Sequence, residues 1–288
     1  MRGGQWQALY LIRGLAVAGH RVRLLAPHDS PLLQTAVAEG IDASPLTLAS
    51  IPSAISGVDL NHAHDARAHT LSTATSKPLV VSRRVAFPVR RGLASRWKYG
   101  RAAHYIAVSQ YVKQSLLDAG IPPDRISVVY DGVHAGPEPP PLEGRTLVVA
   151  LDSDDPGKGK EILEKVATLT KIPVHFSKNL TEDLPRARAF VYITDLEGLG
   201  SAALLAMAAG APVLASRVGG LPEIVEDGVT GLLTSNRIRD IASGLQRLLT
   251  DCALTAQLAS TARNRVAGDF TVERMVNETL HVYERILS

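Results

Sequence analysis

Residues Asp195–Gly231 read DLEGLGSAALLAMAAGAPVLASRVGGLPEIVEDGVTG, and this stretch decides the fold. It follows an apolar run, FVYI, that predicts a β-strand, and its Glu-Gly-Leu-Gly segment predicts a turn before a helix beginning at Ser201. Helix N-termini present unpaired N–H groups that attract phosphate, and glycines let a ligand approach the backbone. A second glycine pair, Gly219 and Gly220, follows the next predicted strand at the same sheet edge. Such turns also occur in Rossmann-like lobes without this function, so the pattern alone leaves a ligand site and an ordinary βα turn both open.

The same alternation of short apolar runs and helical stretches continues on both sides of this stretch. It predicts βα units and parallel sheets. In the first half, strands are predicted at Arg21–Ala26, Leu79–Ser82, Tyr105–Val108 and Ile126–Tyr130. In the second half, strands are predicted at Thr146–Leu151, Val174–Phe176, Phe190–Ile193, Val213–Ala215 and near Leu232. The first helix is expected from about Gln5 to Ala18, with Gly19 as its C-terminal cap.

The segment His134–Arg145, HAGPEPPPLEGR, interrupts this alternation. Its prolines cannot continue a helix or a central strand, so we interpret it as a stiff linker between two domains. We expect one lobe over residues 1–136, a second over residues 146–268 and an amphipathic helix over residues 269–288.

The composition is that of a globular protein with an ordinary core, since 45% of the 288 residues are hydrophobic and 20% are charged. The single cysteine excludes a disulfide within the chain, and no apolar run reaches the roughly 18 residues of a membrane span. The first residues carry no signal-peptide pattern, so a cytoplasmic protein is expected. The formal net charge of +3 is too small to indicate nucleic acid as a partner.

Basic residues nevertheless cluster in one short region. They are Arg83, Arg84, Arg90, Arg91, Arg96, Lys98 and Arg101. The cluster predicts either a solvated face or a peripheral contact with an anionic membrane, on its inner face.

The stretch Asp195–Gly231 resembles the donor-binding signature of retaining glycosyltransferases of family 4, which share the GT-B fold. The matching residues are Glu197, Gly198, Gly200, Ala206-Met207, Gly210, Pro212-Val213, Gly219-Gly220, Glu223-Ile224-Val225 and Asp227-Gly228. Residues 106–133 are similar to the end of the family's N-terminal lobe, and residues 270–287 to the helix that crosses back onto it. The resemblance implies an α/β fold of two Rossmann-like lobes with a cleft between them. Residues 1–136 then form the acceptor-side lobe and residues 146–268 the nucleotide-sugar lobe.

The resemblance also implies a reaction, the transfer of a sugar from a UDP-, GDP- or ADP-sugar to an acceptor hydroxyl with retained configuration. Glu197 is expected to hold sugar hydroxyls, and Lys158 to stabilise the leaving diphosphate. Backbone N–H groups at the helix start are expected from Gly198, Leu199, Gly200 and Ser201. Because Lys160 lies beside it, Lys158 could instead be a surface lysine at a helix start. No cofactor beyond the donor, and no metal, is expected.

In the first half, Arg2-Gly3-Gly4-Gln5 resembles the Gly-rich loop before the family's first helix, so the amides of Gly3 and Gly4 are expected to face a diphosphate or the acceptor. The segment DLNHAHDARAH resembles the family's strand ending in His-x-His. We expect His62 and His64 on opposite faces of that strand, with His64 facing the cleft in a catalytic role. Arg83 stands where the family has a histidine and is expected to bind phosphate. A zinc site is a less favoured alternative, with the ligands His62, His64, Asp65 and His69.

Several positions depart from the family pattern. The family's second Glu, eight residues after the first, is Leu205, and its Arg, five residues before the Lys, is Ser153. The sequence begins inside the family's first βα loop, so the first strand is expected to be missing, and residues 161–190 are expected to omit a strand–helix unit. Internal rearrangement and exchange of elements in a homodimer are the two expected compensations.

The predicted function is therefore a retaining glycosyltransferase with a glycan or lipid-linked acceptor, in cell-envelope glycan or glycolipid synthesis. The departures at Leu205 and Ser153 favour an alternative, a truncated non-catalytic relative that binds a sugar, a nucleotide or a partner protein. An epimerase-like or phosphorylase-like enzyme of the same fold is a third hypothesis.

Overall fold

The computed structural model describes residues 3–85, 87, 89 and 92–288. It divides into two compact units. The first unit contains Met1–Gly132 together with Val272–Ser288, and the second contains Val133–Thr271. The second unit is thus continuous in sequence, whereas the first is made of two separate stretches.

The first unit alternates helices and short strands. In chain order they are α1 (Gly3–Val17), β1 (Leu24–Ala26), α2 (Pro31–Ala38), β2 (Ala43–Pro45), α3 (Ser50–Ile55), β3 (Asn61–Ala63), α4 (Ala66–Ser72), β4 (Leu79–Arg83), α5 (Leu93–Gly100), β5 (His104–Ala107), α6 (Gln110–Leu117) and β6 (Ile126–Val128). Helix α6 begins after Ser109, whose hydroxyl accepts the Val112 N–H at 3.1 Å as an N-cap. Gly19 and Gly120 have φ of +88° and +84°, as expected of glycines that end helices.

Two parallel sheets form in the first unit. One has four strands in the order β3-β4-β5-β6, and the other has β1 paired only with β2. In their registers, Val80 lies opposite His104 and Tyr105 lies opposite Ile126, and all four residues are buried. Among the described residues no strand joins β1 to β3, so the two sheets share no ladder.

The second unit has one larger sheet. Its elements are β7 (Leu147–Leu151), α7 (Lys160–Thr170), β8 (Val174–Ser177), α8 (Leu180–Asp183), β9 (Ala187–Tyr192), α9 (Ser201–Ala208), β10 (Val213–Ser216), α10 (Leu221–Ile224), β11 (Leu232–Thr234), α11 (Ile238–Thr250) and α12 (Cys252–Asp269). The five strands are all parallel and lie in the order β11-β10-β9-β7-β8. The sequence predicted these five strands correctly, since each is a β-branched or apolar run bounded by turn residues.

The last helix, α13 (Val272–Leu287), belongs to the first unit. Its apolar face packs with α1 around Leu11, Leu15, Met275 and Val276. The contact is close, because a Cβ added at Gly14 would lie 2.4 Å from Val276. Gly14 thus allows the two helices to approach, which is a packing reason for a glycine inside a helix.

The proline segment, which the composition predicts to be a stiff linker between two domains, lies within the second unit. The buried Arg145 donates there to the carbonyl oxygens of Pro140 and Gly210. Arg263 of α12 donates to the carbonyls of Gly136 and Pro137. Prolines leave carbonyls without a ladder partner, and these two arginines supply donors to them.

Candidate functional site

The carboxyl ends of β7 and β9 carry the charged residues of the second unit's sheet edge. Lys158 lies in the loop after β7, and Glu197 lies in the loop after β9. Since parallel strands end at one edge, residues that follow neighbouring strands come close together. The structure brings Lys158 and Glu197 together in this way.

Lys158, Tyr192 and Glu197 form one hydrogen-bonded group. The Nζ of Lys158 lies 2.7 Å from Oε2 of Glu197 and 3.3 Å from the Tyr192 hydroxyl. That hydroxyl donates to the same Oε2 at 2.5 Å. The Lys158 and Glu197 side chains are only 22% and 15% exposed, so their attraction is screened less than that of a surface pair. The group concentrates one cation and one carboxylate at a partly sheltered point.

Tyr192 is a functional candidate that the sequence reasoning missed. It is the last residue of β9, and its ring stacks on Phe190 with centroids 5.9 Å apart. Burial, and then the Glu197 carboxylate, raise the pKa of Tyr192 well above its usual value of 10. The hydroxyl therefore stays a donor at neutral pH and fixes the position of the carboxylate. A polar residue that ends a buried strand is the signal that could have identified it.

The two glycine turns meet by direct backbone approach. A Cβ on Gly219 would lie 2.0 Å from the Glu197 carbonyl oxygen, and one on Gly220 would lie 2.2 Å from the Gly198 carbonyl oxygen. The Gly220 N–H donates to the Glu197 carbonyl at 3.1 Å. Only glycines allow this contact, so the second turn sets the position of the loop that carries Glu197.

Helix α9 begins directly after this loop. Gly200 is its N-cap with φ of +111°, Ser201 is its first residue, and Leu199 is buried. The Gly198 N–H donates to Oε1 of Glu197 at 3.0 Å. Both carboxylate oxygens are thus held by groups of the protein itself, at a helix N-terminus where a partial positive charge favours anions.

A buried polar network supports the same loop from its other side. Ser216, at the end of β10, accepts the Thr194 N–H at 2.9 Å and donates to the side-chain oxygen of Asn236 at 2.6 Å. The Asn236 amide donates in turn to the Thr194 carbonyl and to Asp195. Polar residues at the ends of three neighbouring strands satisfy each other's hydrogen-bonding groups here. The sequence analysis assigned a role to none of them.

The departures from the family pattern have clear local consequences. Leu205 is half-buried in α9, and Ser153 accepts the Asp155 N–H at 3.2 Å. Asp152 pairs with Lys160 at 2.6 Å. Lys160 is thus paired with Asp152, and Lys158 is the one of these two lysines that contacts Glu197.

A second polar group lies in the first unit. His62 and His64 have ring centroids 4.1 Å apart, so the expectation that they face opposite sides of the strand is wrong. Residues two apart along a strand share a face, so the two rings lie on the same side of β3. His62 contacts the Tyr283 hydroxyl at 2.5 Å and the Ser82 hydroxyl at 2.8 Å.

Arg84, rather than Arg83, is the arginine that joins this group. Arg84 pairs with the buried Asp131, and a Cβ on Gly4 would lie 3.5 Å from its Cδ. Arg83 instead donates to the Tyr99 hydroxyl and the Phe87 carbonyl, because consecutive residues at a strand end point to opposite sides.

Gly3 and Gly4 also differ from expectation, since they form the first turn of α1 and not a loop. Arg2 lies outside the described residues. A first turn still presents N–H groups without intrahelical partners.

The buried nitrogens of this group are incompletely satisfied. His64 Nδ1 and Arg84 Nε have no hydrogen-bond partner among the described residues. Burial, and then the Arg84 charge, lower the pKa of His64 to about 3, so the ring is neutral at neutral pH. The neutral His64 imidazole can accept a hydrogen bond from one donor group. The Arg84 guanidinium beside it can donate a hydrogen bond to one anionic oxygen.

The described residues place no three His, Cys, Asp or Glu side chains so that they could hold a metal ion. The ring of His69 packs edge-on against Tyr99, with centroids 5.0 Å apart. The zinc alternative therefore lacks a ligand set in this part of the chain.

None of the described helices is long and apolar enough to cross a bilayer.

Curated proteins match the chain over part of their length. It is 33% identical to alpha-maltose-1-phosphate synthase of Mycobacterium tuberculosis over 114 residues, which are 37% of this chain and 30% of that protein. It is 32% identical to D-inositol 3-phosphate glycosyltransferase of Actinosynnema mirum over 155 residues, or 50% of this chain and 37% of that protein. The matched stretches thus span about a third of these relatives.

Solved structures share the fold over nearly the whole chain. Anabaena HepE in complex with UDP and glucose superposes with a TM-score of 0.83 and 19% identity, covering 98% of this chain and 96% of that one. Sucrose-phosphate synthase from Thermosynechococcus elongatus superposes with a TM-score of 0.79 and 20% identity, covering 99% and 94%. At these identities the likeness shows the fold alone, a mixed α/β fold of two Rossmann-like lobes.

Two family models match consecutive parts of the sequence. Glycosyltransferase Family 4 matches residues 1–136, and Glycosyl transferases group 1 matches residues 149–265. The boundary between them falls in the proline segment that packs on the second unit. The chain therefore belongs to the GT-B glycosyltransferases, with a Family 4 lobe followed by a group 1 lobe.

Proposed function

We propose that this protein transfers a sugar from a nucleoside-diphosphate sugar to an acceptor hydroxyl, with retention of configuration. The observation that carries the proposal is the Lys158–Tyr192–Glu197 group at the N-terminus of α9. A solved neighbour of the same fold holds UDP-glucose, which supports this donor class. Retention rests on the family resemblance. The proposed acceptor is a cell-envelope glycan or glycolipid, reached from the cytoplasm.

In this proposal the donor replaces contacts that the protein now makes with itself. Lys158 turns from Glu197 to the diphosphate, and the carboxylate accepts hydrogen bonds from the sugar hydroxyls. The anomeric carbon exchanges its bond to a diphosphate oxygen for a bond to the acceptor oxygen on the same face of the sugar, and the acceptor hydroxyl's proton passes to the departing diphosphate. The ammonium and the α9 N-terminus stabilise the negative charge that grows on the leaving diphosphate.

Replacing Lys158 by methionine is expected to abolish stabilisation by the cognate nucleoside diphosphate. A ligand at about 100 times its Kd adds about 2.7 kcal/mol to the free energy of unfolding, measured as a rise in Tm. UDP, GDP and ADP are each added to the wild type and to the variant. Lys160→Met is the matched control, because Lys160 is two residues away and pairs with Asp152 instead.

One diphosphate that stabilises the wild type and Lys160→Met, but not Lys158→Met, supports the donor site and identifies the base. If Lys158→Met responds as strongly as the wild type, the donor site lies elsewhere. If no diphosphate raises the Tm of the wild type, the donor proposal itself is wrong.

Tyr192→Phe is expected to weaken donor binding about threefold to tenfold without loss of the fold. The ring and its stacking on Phe190 remain, and only the hydroxyl that donates to Glu197 at 2.5 Å is removed. A hydrogen bond to a charged group contributes about 1.5–3 kcal/mol, and Lys158 retains part of the carboxylate's positioning. Titration calorimetry with the cognate UDP-, GDP- or ADP-sugar measures the change. Unaltered affinity would assign Tyr192 a packing role only.

A second candidate function is a non-catalytic relative that binds a nucleotide sugar. Leu205 favours it, because an apolar side chain at this position of α9 cannot accept a ribose hydroxyl. The discriminating measurement is the release of free diphosphate from the bound donor, with and without glycan or glycolipid acceptors. Saturable binding without any hydrolysis or transfer supports the binding protein.

A further inference from the structure

Helix α5 packs with one face on the rest of the first unit and directs its other face to solvent. On its packed face, Tyr99 stacks on Tyr105 with centroids 5.7 Å apart, and the Lys98 ammonium donates to the Ala66 carbonyl at 2.9 Å. On the other face, Leu93 and Trp97 are 85% and 62% exposed. They are four residues apart, so they lie side by side on the helix surface.

The segment before α5 also exposes apolar side chains. Phe87 is 64% exposed and Val85 is also exposed. Arg83 holds this segment near the helix, since it donates both to the Phe87 carbonyl and to the Tyr99 hydroxyl. We call the exposed set Val85, Phe87, Leu93, Arg96 and Trp97 the Trp97 face. Large apolar side chains grouped at the surface mark an interaction site more often than scattered ones do.

The charge of the surrounding sequence has a single sign. Ten Lys and Arg residues, and no Asp or Glu, lie between Asp65 and Asp118. The formal net charge of the whole chain is only +3, so the rest of the chain is net acidic. Arg84 pairs with Asp131, whereas Arg67, Arg96 and Arg101 have no ion pair among the described residues. Arg90 and Arg91 lie outside the described residues and enter this argument only through their charge.

We propose that the Trp97 face docks on an anionic lipid bilayer, at the level of the headgroups. Aromatic rings and leucine side chains gain free energy there by leaving water, and arginines meet the phosphates of acidic lipids. A dissolved polyanion would match the arginines but would leave Leu93 and Val85 in water. The combination of exposed aliphatic, aromatic and basic side chains therefore favours a lipid surface over nucleic acid. The docking is independent of the proposed sugar transfer.

Tryptophan fluorescence tests this proposal on the full chain. The chain contains only Trp6 and Trp97, so Trp6→Phe makes Trp97 the sole indole. Phosphatidylcholine vesicles, with or without phosphatidylglycerol, are added to this variant. We expect binding about tenfold or more tighter to the anionic vesicles, a blue shift of Trp97 emission, and binding that weakens steeply as salt is raised.

Two pairs of variants distinguish vesicle binding through this surface from nonspecific adsorption of the protein. Leu93→Ser is expected to weaken binding about tenfold, whereas Leu48→Ser, at an equally exposed leucine of the first unit, leaves it unchanged. Arg96→Glu is expected to weaken binding about fivefold to tenfold, whereas Arg21→Glu, outside the basic stretch, has a smaller effect. Both positions of each pair are exposed, so the fold is retained in all four variants.

Equal binding to neutral and anionic vesicles, or equal effects of Leu93→Ser and Leu48→Ser, would overturn the proposal. So would vesicle binding that leaves the emission of Trp97 unshifted. Polyuridylate that competes fully with the vesicles and itself causes the blue shift of Trp97 would reassign the surface to nucleic acid.

Discussion

Gly220→Ala is expected to destroy the donor site, with loss of nucleoside-diphosphate binding by 100-fold or more. The added Cβ would lie 2.2 Å from the Gly198 carbonyl oxygen and 3.0 Å from the Leu199 Cα. Backbone atoms of a turn cannot rotate away as a side chain can, so the loop that carries Glu197 must move. A displacement of about 1 Å at a positioning element costs on the order of 100-fold in function. Titration calorimetry with the nucleoside diphosphate measures the loss.

The position of Gly220 also makes this prediction specific. Its φ of −82° is accessible to alanine, so the substitution introduces a steric clash without backbone strain. Gly120 is the matched control, because it has φ of +84° and open space around a Cβ, and it lies outside the donor-binding signature. Gly120→Ala therefore introduces strain without a clash, which costs about 1–3 kcal/mol of stability and leaves binding intact. Equal binding losses in the two variants would show that the glycine contact does not position the Glu197 loop.

Acidification is expected to unfold the first unit well before the second. Burial, as the largest cause, lowers the pKa of His64 to about 3 and the pKa values of His69 and His104 to about 4. It also lowers the pKa of His62 well below 6.5. In the unfolded chain these histidines protonate near pH 6.5, so between about pH 6.5 and 4 the unfolded state binds more protons. Stability therefore falls as the pH falls, by up to about 1.4 kcal/mol per pH unit for each histidine.

Two of these histidines anchor α13, which gives the acid transition a structural marker. His62 contacts the Tyr283 hydroxyl. The Nε2 of His104 accepts a hydrogen bond from a guanidinium nitrogen of Arg285, and the two nitrogens are 2.8 Å apart. A protonated His104 cannot accept this bond and repels the arginine. The protection of α13 amides against hydrogen exchange, corrected for the intrinsic exchange rate at each pH, is therefore expected to fall between pH 7 and pH 4.5 before that of the β9 and β10 amides.

Urea unfolding across the same pH range checks the proton count. His104→Gln keeps an acceptor for Arg285 but cannot titrate, so the slope of stability against pH is expected to decrease by about one proton. An identical slope in His104→Gln and the wild type would refute the assignment.

The strands of the two larger sheets could largely be predicted, for reasons visible in particular residues. Runs such as LVVAL at β7 and LVVSR at β4 are β-branched, buried and bounded by polar turn residues. Strand β2 was missed because its three residues, ASP, show neither alternation nor an apolar run. Helix α5 was missed because LASRWKYG buries no residue completely and therefore shows no apolar stripe.

The candidate site was predicted only where a side chain has a motif to mark it. Glu197 and Lys158 lie beside glycines whose spacing is visible in the sequence, and the structure places their charged atoms 2.7 Å apart. Tyr192 carries no such mark, because a tyrosine ending a strand is equally suited to core packing. The ring contact between His62 and His64 could have been predicted, since side chains two apart on a strand share a face.

The return of α13 to the first unit has a consequence for how the protein matures on the ribosome. The second unit is complete once residue 271 has left the exit tunnel, because it is one continuous stretch. The first unit is translated earlier but lacks α13, whose Met275 and Val276 complete the core around Leu11 and Leu15. Its final packing must therefore wait until α13 has been synthesised, which reverses the usual N-terminal-first order. Until α13 has left the exit tunnel, the nascent chain exposes the apolar face of α1, and this is the interval in which a chaperone would be needed.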